Sequence, residues 1–254
     1  QMCIRDRIEY SFQKTDHHKH LSVFLNLSYR GHPSFLYMPS KLFYFDKLKS
    51  INKSVSDEIW IQAVRKIESL STIAYPESLA SKQMDWPIVF RGVNGKCTSM
   101  AVETFFGSNC WCNHAEADAI VEIIEKVVKI GVSTASIGVM AAFRAQVVLI
   151  RKLLRARNLG SVNVGMVEDY QSMERHIIIL SLTRANKSLM PADVTSGEGL
   201  FRQPKRMNVA LTRAKRGLIV IGDPATLRGD KNWRAWLEYV RDSKFEAWHL
   251  LGMT

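Results

Sequence analysis

The chain has 254 residues, 46% of them hydrophobic, and its 35 lysines and arginines against 24 acids leave a formal charge of +11. That length suits one large domain or two small ones, and the positive surplus favours a polyanionic partner, nucleic acid before membrane. No apolar run reaches the roughly eighteen residues of a membrane-spanning helix, no leader pattern is present, and four cysteines (Cys3, Cys97, Cys110, Cys112) do not make a disulfide framework, so a reducing, cytoplasmic setting is expected.

Residues 1–7, QMCIRDR, match nothing downstream, and residues 1–20 are expected to be a scar or partial linker. His17, His18 and His20 offer metal donors, but a tract this short is more simply a solvated loop. LSVFLNL (21–27) is short and apolar and predicts a buried strand. Pro33 then suits the first turn of a helix that packs Phe35, Leu36, Leu42 and Phe43 inward. Between them stand Tyr29 and Arg30. An aromatic beside an arginine can hold a base on its ring and a phosphate on the guanidinium. A packed tyrosine with a solvated arginine is the plainer alternative. Residues 57–70 predict an amphipathic helix, 69–87 a loop and 87–95 a strand ending in turn residues. GVNGKC (92–97) is not a phosphate-binding loop, because only two residues separate its glycines and no serine or threonine follows the lysine.

Cys110, Cys112 and His114 lie close together, yet the cysteines are one residue apart where paired zinc ligands are normally two or more apart, so no metal site is assigned. Asn113 instead reads as the cap of a helix, HAEADAIVEIIEKVVKI, that stops at Gly131. Glu116 and Asp118 in its first turns, with Lys126 and Lys129 in its last, match the helix dipole. A strand at 135–141 and a helix at 143–159 follow, the helix showing Val147, Ile150, Leu153 and Leu154 on one face and stopping at Gly160. Its other face carries Arg144, Arg151, Lys152, Arg155 and Arg157, a stripe that suits a phosphate backbone or plain solvent. Strands at 162–167 and 176–183 flank the polar loop EDYQSMER. Strands and helices alternating in this rhythm predict an α/β fold with a parallel sheet covered on both faces. Ligands in such sheets bind beyond the carboxyl ends of the strands, where that loop is expected. A polar loop covers 184–203. RMNVALTRAKR (206–216) predicts a basic helix with Met207, Ala210, Leu211 and Ala214 on one face, feeding directly into a strand at 217–224. Arg213 falls near the junction, a permanently charged guanidinium at a sheet edge. GDPATL (222–227) reads as a structural turn. The aromatic-rich segment 232–250 predicts a closing helix with Trp233, Trp236 and Tyr239 in the packing.

Three of these segments resemble motifs of superfamily 1 helicases of the up-frameshift type. NVALTRAKRGLIVIGDP is similar to motif VI, which implies a RecA-like fold and makes Arg213 an arginine finger. NLSYRGHPSFLYMPSKLFY is similar to motif IV, implying Arg30 as a second phosphate-sensing arginine and Tyr29 on the adenine side of the cleft. VGMVEDYQSMERHIIILSLTRA is similar to motif V, implying Gln171 and Glu174 in the nucleotide cleft, with Glu174 at the ribose or organising an arginine. Here the chain departs from the pattern: Ser172 stands where the motif has glycine, a residue that would permit close approach or a positive φ.

The segments FRGVNG and PKRMNVALTRAK, with the Asn-Glu-Ala-type helix, most resemble the Armitage-type (Moloney leukaemia virus ten) RNA helicases. That resemblance implies ATP-driven 5′-to-3′ movement on single-stranded RNA. ATP and Mg²⁺ would be held mainly by a first RecA-like domain, because no G-x-x-x-x-G-K-[ST] occurs in this chain. Residues 21–254 are then the second RecA-like domain, inactive alone. The alternatives are a non-catalytic module that binds nucleic acid or protein, and a DNA helicase of the same superfamily.

Overall fold

The computed structural model describes residues 24–51, 87–93, 95–99, 111–189, 191, 193, 195 and 199–250. The expected scar, the histidine tract, the 57–70 helix, Cys3 and Cys110 lie outside them. Five strands form one sheet: β3 (Ile88–Gly92), β6 (Ile137–Ala141), β7 (Asn163–Met166), β8 (Arg175–Ser181) and β9 (Ala214–Gly222). Their order is β3-β9-β8-β6-β7, and every pairing among them is parallel, while β4 (Cys97–Ser99) and β5 (Trp111–Asn113) pair antiparallel in a separate sheet. The period-two alternation of the strands divides the core. Val89, Ile177, Ile179, Ile219 and Ile221 face one layer, which is built by α2 (His114–Lys129) and α3 (Arg144–Ala156). Ile88, Phe90, Ile178, Leu180, Leu218 and Val220 face the other. That second layer contains α1 (Pro33–Phe43), α4 (Pro204–Leu211) and the first turns of α6 (Lys231–Leu250), with Trp233 and Trp236 fully buried. The expected α/β sandwich is therefore present, as is the aromatic packing of the closing helix.

Three expectations are corrected. The apolar run before Tyr29 is not a buried strand where it is described. Only Leu27–Ser28 (β1) is extended, it pairs with Lys49–Ser50 (β2) in a separate two-stranded sheet, and Leu25 and Leu27 are exposed. The basic segment 206–216 is not one helix: α4 ends at Leu211, and Ala214–Arg216 already belong to β9. Ala214 is buried as a strand residue, so its place on the helical face was coincidental. Finally, Asn158 rather than Gly160 stops α3. It takes a left-handed φ of 56°, and the next amide, Leu159 N, bonds back to Leu154 O at 2.8 Å.

Asn113 caps α2 as expected, its side chain accepting from Glu116 N. Glu116 itself is not a surface partner of the dipole but fully buried. Its carboxylate accepts from Ser181 Oγ (2.6 Å), Thr183 N (2.8 Å) and Asn113 Nδ2 (3.3 Å). Gln146 of α3 closes the network through Ser181 Oγ and both backbone groups of Asn113. Beyond β8 the chain turns through Thr183 at φ 68°, a strained setting for a β-branched residue, and Arg184 is buried against Asp193 between the rings of Trp111 and Phe143. Burial pushes the Glu116 carboxyl up to about 7, against its hydrogen bonds, which favour the charged form.

The native state thus holds the Glu116 proton more tightly than the unfolded chain, whose carboxyl titrates near its ordinary value. Stability should fall as pH rises from about 4.5 to about 7. Melting temperatures across that window should decline in the wild type and level out in Glu116→Gln. An equal decline in both would remove Glu116 as the source.

Candidate functional site

The register between the two central strands brings the motif residues together. Arg175, at the start of β8, is aligned with Ala214, at the start of β9, and Arg175 N donates to Arg213 O at 3.2 Å. Glu174 and Arg213 therefore leave adjacent strands at the same level. Arg30 arrives by backbone contact: a Cβ on Gly31 would meet Ala214 O at 2.8 Å, so only glycine lets this turn sit against β9. His32 then fixes the first turn of α1, its Nδ1 accepting from Ser34 N.

This cluster lies at the amino ends of β8 and β9, not beyond the carboxyl ends as the sheet rule predicted. The loop after β7 starts at the carboxyl edge, where Met166 is level with Ala141. It then runs back along the sheet. Tyr170 is fully buried there, with its hydroxyl on Asn163 O (2.9 Å) and packed so closely under Gly138 that a Cβ would come within 2.7 Å. Residues 171–174 consequently emerge at the opposite edge.

Arg30 Nε donates to Glu174 Oε2 at 2.7 Å, and Arg30 Nη1 to Thr212 O at 3.1 Å. Lys215 Nζ lies 2.5 Å from Glu174 Oε1. One carboxylate is thus shared by two cations, which together hold it below the usual glutamate range, Lys215 contributing most. Arg213 donates from Nη2 to Thr212 Oγ1 at 3.1 Å, while its Nε is buried with no partner among the described residues. Burial first, and the charge of Arg30 second, bring the Arg213 guanidinium down to about 10, so it remains charged at neutral pH. Among the described residues of this cluster, three cations stand against one committed carboxylate, and Arg213 Nε is a buried donor without an acceptor. Such a site suits an anion with several oxygens.

Tyr29 is next to this cluster in sequence but 72% exposed, and Gln171 is exposed at the end of the Glu168–Tyr170 turn. Arg30, Glu174 and Arg213 are therefore brought together, while Tyr29 and Gln171 border them on the surface. Lys215 was missed as a site residue. Its signal was present, since it lies two residues past Arg213 in the same basic run, but the helical assignment directed it elsewhere.

Residues 9–225 match the AAA domain family. The chain is 32% identical to MOV-10 of Gallus gallus over 230 residues, covering 85% of this chain and 22% of that protein. It is 34% identical to the RNA helicase Mov10l1 of Homo sapiens over 215 residues, covering 84% of this chain and 16% of that one. It is also 30% identical to the DNA replication ATP-dependent helicase/nuclease DNA2 of Mus musculus over 226 residues (87% and 20%). The chain belongs to the AAA domain family of superfamily 1 helicases. It spans about a fifth of the length of these relatives.

Membership in this helicase family explains the one irregular residue of the site. Ser172 adopts φ 66°, the left-handed conformation for which the helicase motif carries glycine. The backbone shape is thus retained and the strain is borne by a serine, a cost of order 1 kcal/mol. Ser172→Gly should raise stability by about 1 kcal/mol, seen as a higher denaturation midpoint at unchanged slope. A lower midpoint would mean that serine contributes a contact that outweighs its strain.

Proposed function

We propose that this chain is the second RecA-like domain of an ATP-dependent 5′-to-3′ RNA helicase, with residues 21–254 as the domain. The observation that carries this reading is the Arg30–Glu174–Lys215 chain of ion pairs beside a desolvated Arg213 with an unpaired Nε. The residues present fit a triphosphate. Two guanidiniums stand side by side, and Glu174, the carboxylate paired within this cluster among the described residues, is offset by Arg30 and Lys215. Among the described residues no group of three or more histidine, cysteine, aspartate or glutamate side chains could hold a metal ion. By the motif resemblance, Mg²⁺ and most of the ATP are assigned to a first RecA-like domain, the partner this chain would close against.

ATP, when bound, supplies the transferable phosphoryl group and the free energy of its hydrolysis. This chain's residues have narrower tasks. Glu174 holds the Arg30 guanidinium in one orientation through a charge-assisted bond. Thr212 holds Arg213 from its hydroxyl and Arg30 from its carbonyl. Both arginines are thus fixed before any negative charge develops, the condition under which fixed dipoles and charges lower a barrier most. Tyr29, exposed beside Arg30, is assigned to the adenine ring and Gln171 to the nucleotide edge. Single-stranded RNA is preferred as the polymer because the relatives with higher identity include one named as an RNA helicase. A DNA helicase is the second reading, favoured by the similarity to the DNA2 protein.

In the full-length protein, Arg213→Ala should lower RNA-stimulated ATP turnover by about 10³-fold or more, with nucleotide affinity changed little. Arg213→Lys should not restore it, since an ammonium lacks the planar fork. Intact turnover with weakened RNA binding would remove Arg213 from the phosphoryl-transfer site. The 254-residue chain alone should show no Mg²⁺-dependent hydrolysis; turnover that Arg213→Ala abolishes would overturn the shared-cleft reading.

A further inference from the structure

The end of the sheet opposite the arginine cluster carries a second crevice. β9 runs from Ala214 to Gly222, so Arg213 and Asp223 bracket a strand about 30 Å long at 3.3 Å per residue. At the Asp223 end, beyond the carboxyl ends of β3 and β9, a cavity of about 620 Å³ opens. It is where parallel sheets form ligand crevices. α5 (Pro224–Leu227) and α6 form its walls, and Arg228, Arg234 and Arg241 stand around it.

The charges around this crevice are not spent equally. The Asp223 carboxylate is committed to α5, accepting from Ala225 N, Thr226 N and Thr226 Oγ1. Arg228 and Arg234 are exposed, and neither has a side-chain hydrogen bond or ion pair among the described residues. Arg234 and Arg241 are seven residues apart on α6 and so share a face. Glu238 lies between them and, with Asp223, opposes the three arginines. Val93, Pro224 and Leu237 give the crevice an apolar side. Guanidiniums at the mouth and an apolar wall match one repeating unit: a phosphate with a base or sugar behind it.

We propose that this crevice binds the backbone of single-stranded nucleic acid, Arg228 and Arg234 each contacting a phosphate. It is a second polymer contact, separate from the nucleotide-facing cluster, and it rests on the helicase reading above only in the identity of its ligand. An acidic protein segment, which offers carboxylates in place of phosphates, is the competing occupant.

The test uses the 254-residue chain and a short fluorescein-labelled oligouridylate, with affinity followed by anisotropy across a salt series. Arg228→Gln/Arg234→Gln should bind on the order of tenfold more weakly, and the slope of log affinity against log salt should become shallower by about 0.7 for each lost phosphate contact. Lys47→Gln/Lys129→Gln, which removes two exposed positive charges elsewhere on the domain, should change both much less. Glu238→Gln should tighten binding, a gain that impaired folding cannot mimic. Equal losses in the two double variants would reduce the effect to bulk charge and overturn the site. Unchanged binding of the Arg228/Arg234 variant while the wild type binds would overturn it and leave the helicase reading standing. Loss of binding to polyglutamate but not to oligouridylate would give the crevice to an acidic protein. A wild type that fails to bind at low salt would bring down the proposal and the nucleic-acid reading together.

Discussion

One backbone hydrogen bond, from Arg175 N to Arg213 O, sets the geometry of the candidate site. It aligns the starts of the two central strands, and a register shift separates it from the regular ladder at Ile177. A slip of one residue would turn each strand's apolar set to the wrong face, exchanging Ile177 and Ile179 with Ile178 and Leu180 between the two layers. The core therefore holds the register, and the register holds Glu174 beside Arg213. Gly31 adds the third segment by lying against the same strand, where any Cβ would strike the Ala214 carbonyl.

Electrostatics within the cluster follow from that placement. Two guanidiniums close together and partly out of water are unfavourable alone, which is why Arg213 loses some of its proton affinity. Glu174 offsets part of this repulsion at both arginines, although its direct bonds go to Arg30 and Lys215. Among the described residues Arg213 is left with an unsatisfied buried donor, a state that costs stability in most proteins. Such a cost is understandable where an external anion completes the hydrogen bonding. Lys215 holds the carboxylate oxygen that Arg30 does not, Oε1 against Oε2.

Much of the fold was legible because strand alternation and helical faces are local signals. Ile177–Leu180 and Leu218–Ile221 alternate between layers as their sequences imply, and Asn113 and Pro33 begin helices where expected. Arg30 and Arg213 stood out locally as phosphate candidates, but their grouping with Glu174 came only through motif resemblance, since 144 residues separate Arg30 from Glu174 and no local pattern connects them. The end of α4 was not legible, because Ala214 continues the helical spacing although it is the first strand residue. The burial of Glu116 was equally hidden. Its first-turn position fits a helix dipole, while the partners that bury it, Ser181 and Thr183, arrive 65 and 67 residues later. Local pattern also misplaced the cluster on the sheet, because nothing in EDYQSMER indicates that Tyr170 carries the chain back under Gly138.

The two ends of β9 limit how this domain can couple one ligand to another. The strand is paired on both sides, with β3 and β8, and Leu218 through Ile221 are wholly buried. Sliding it would break both ladders and repack two core layers at once. A close-packed interior of this kind moves as a body rather than deforming along one element. If a nucleotide engages Arg213 at one end and a polymer engages the crevice beyond Asp223 at the other, no lever inside the domain need connect them. Closure on a neighbouring domain would carry both ends together, and the roughly 30 Å of rigid strand between them would convert a small rotation at the nucleotide into a larger displacement at the polymer.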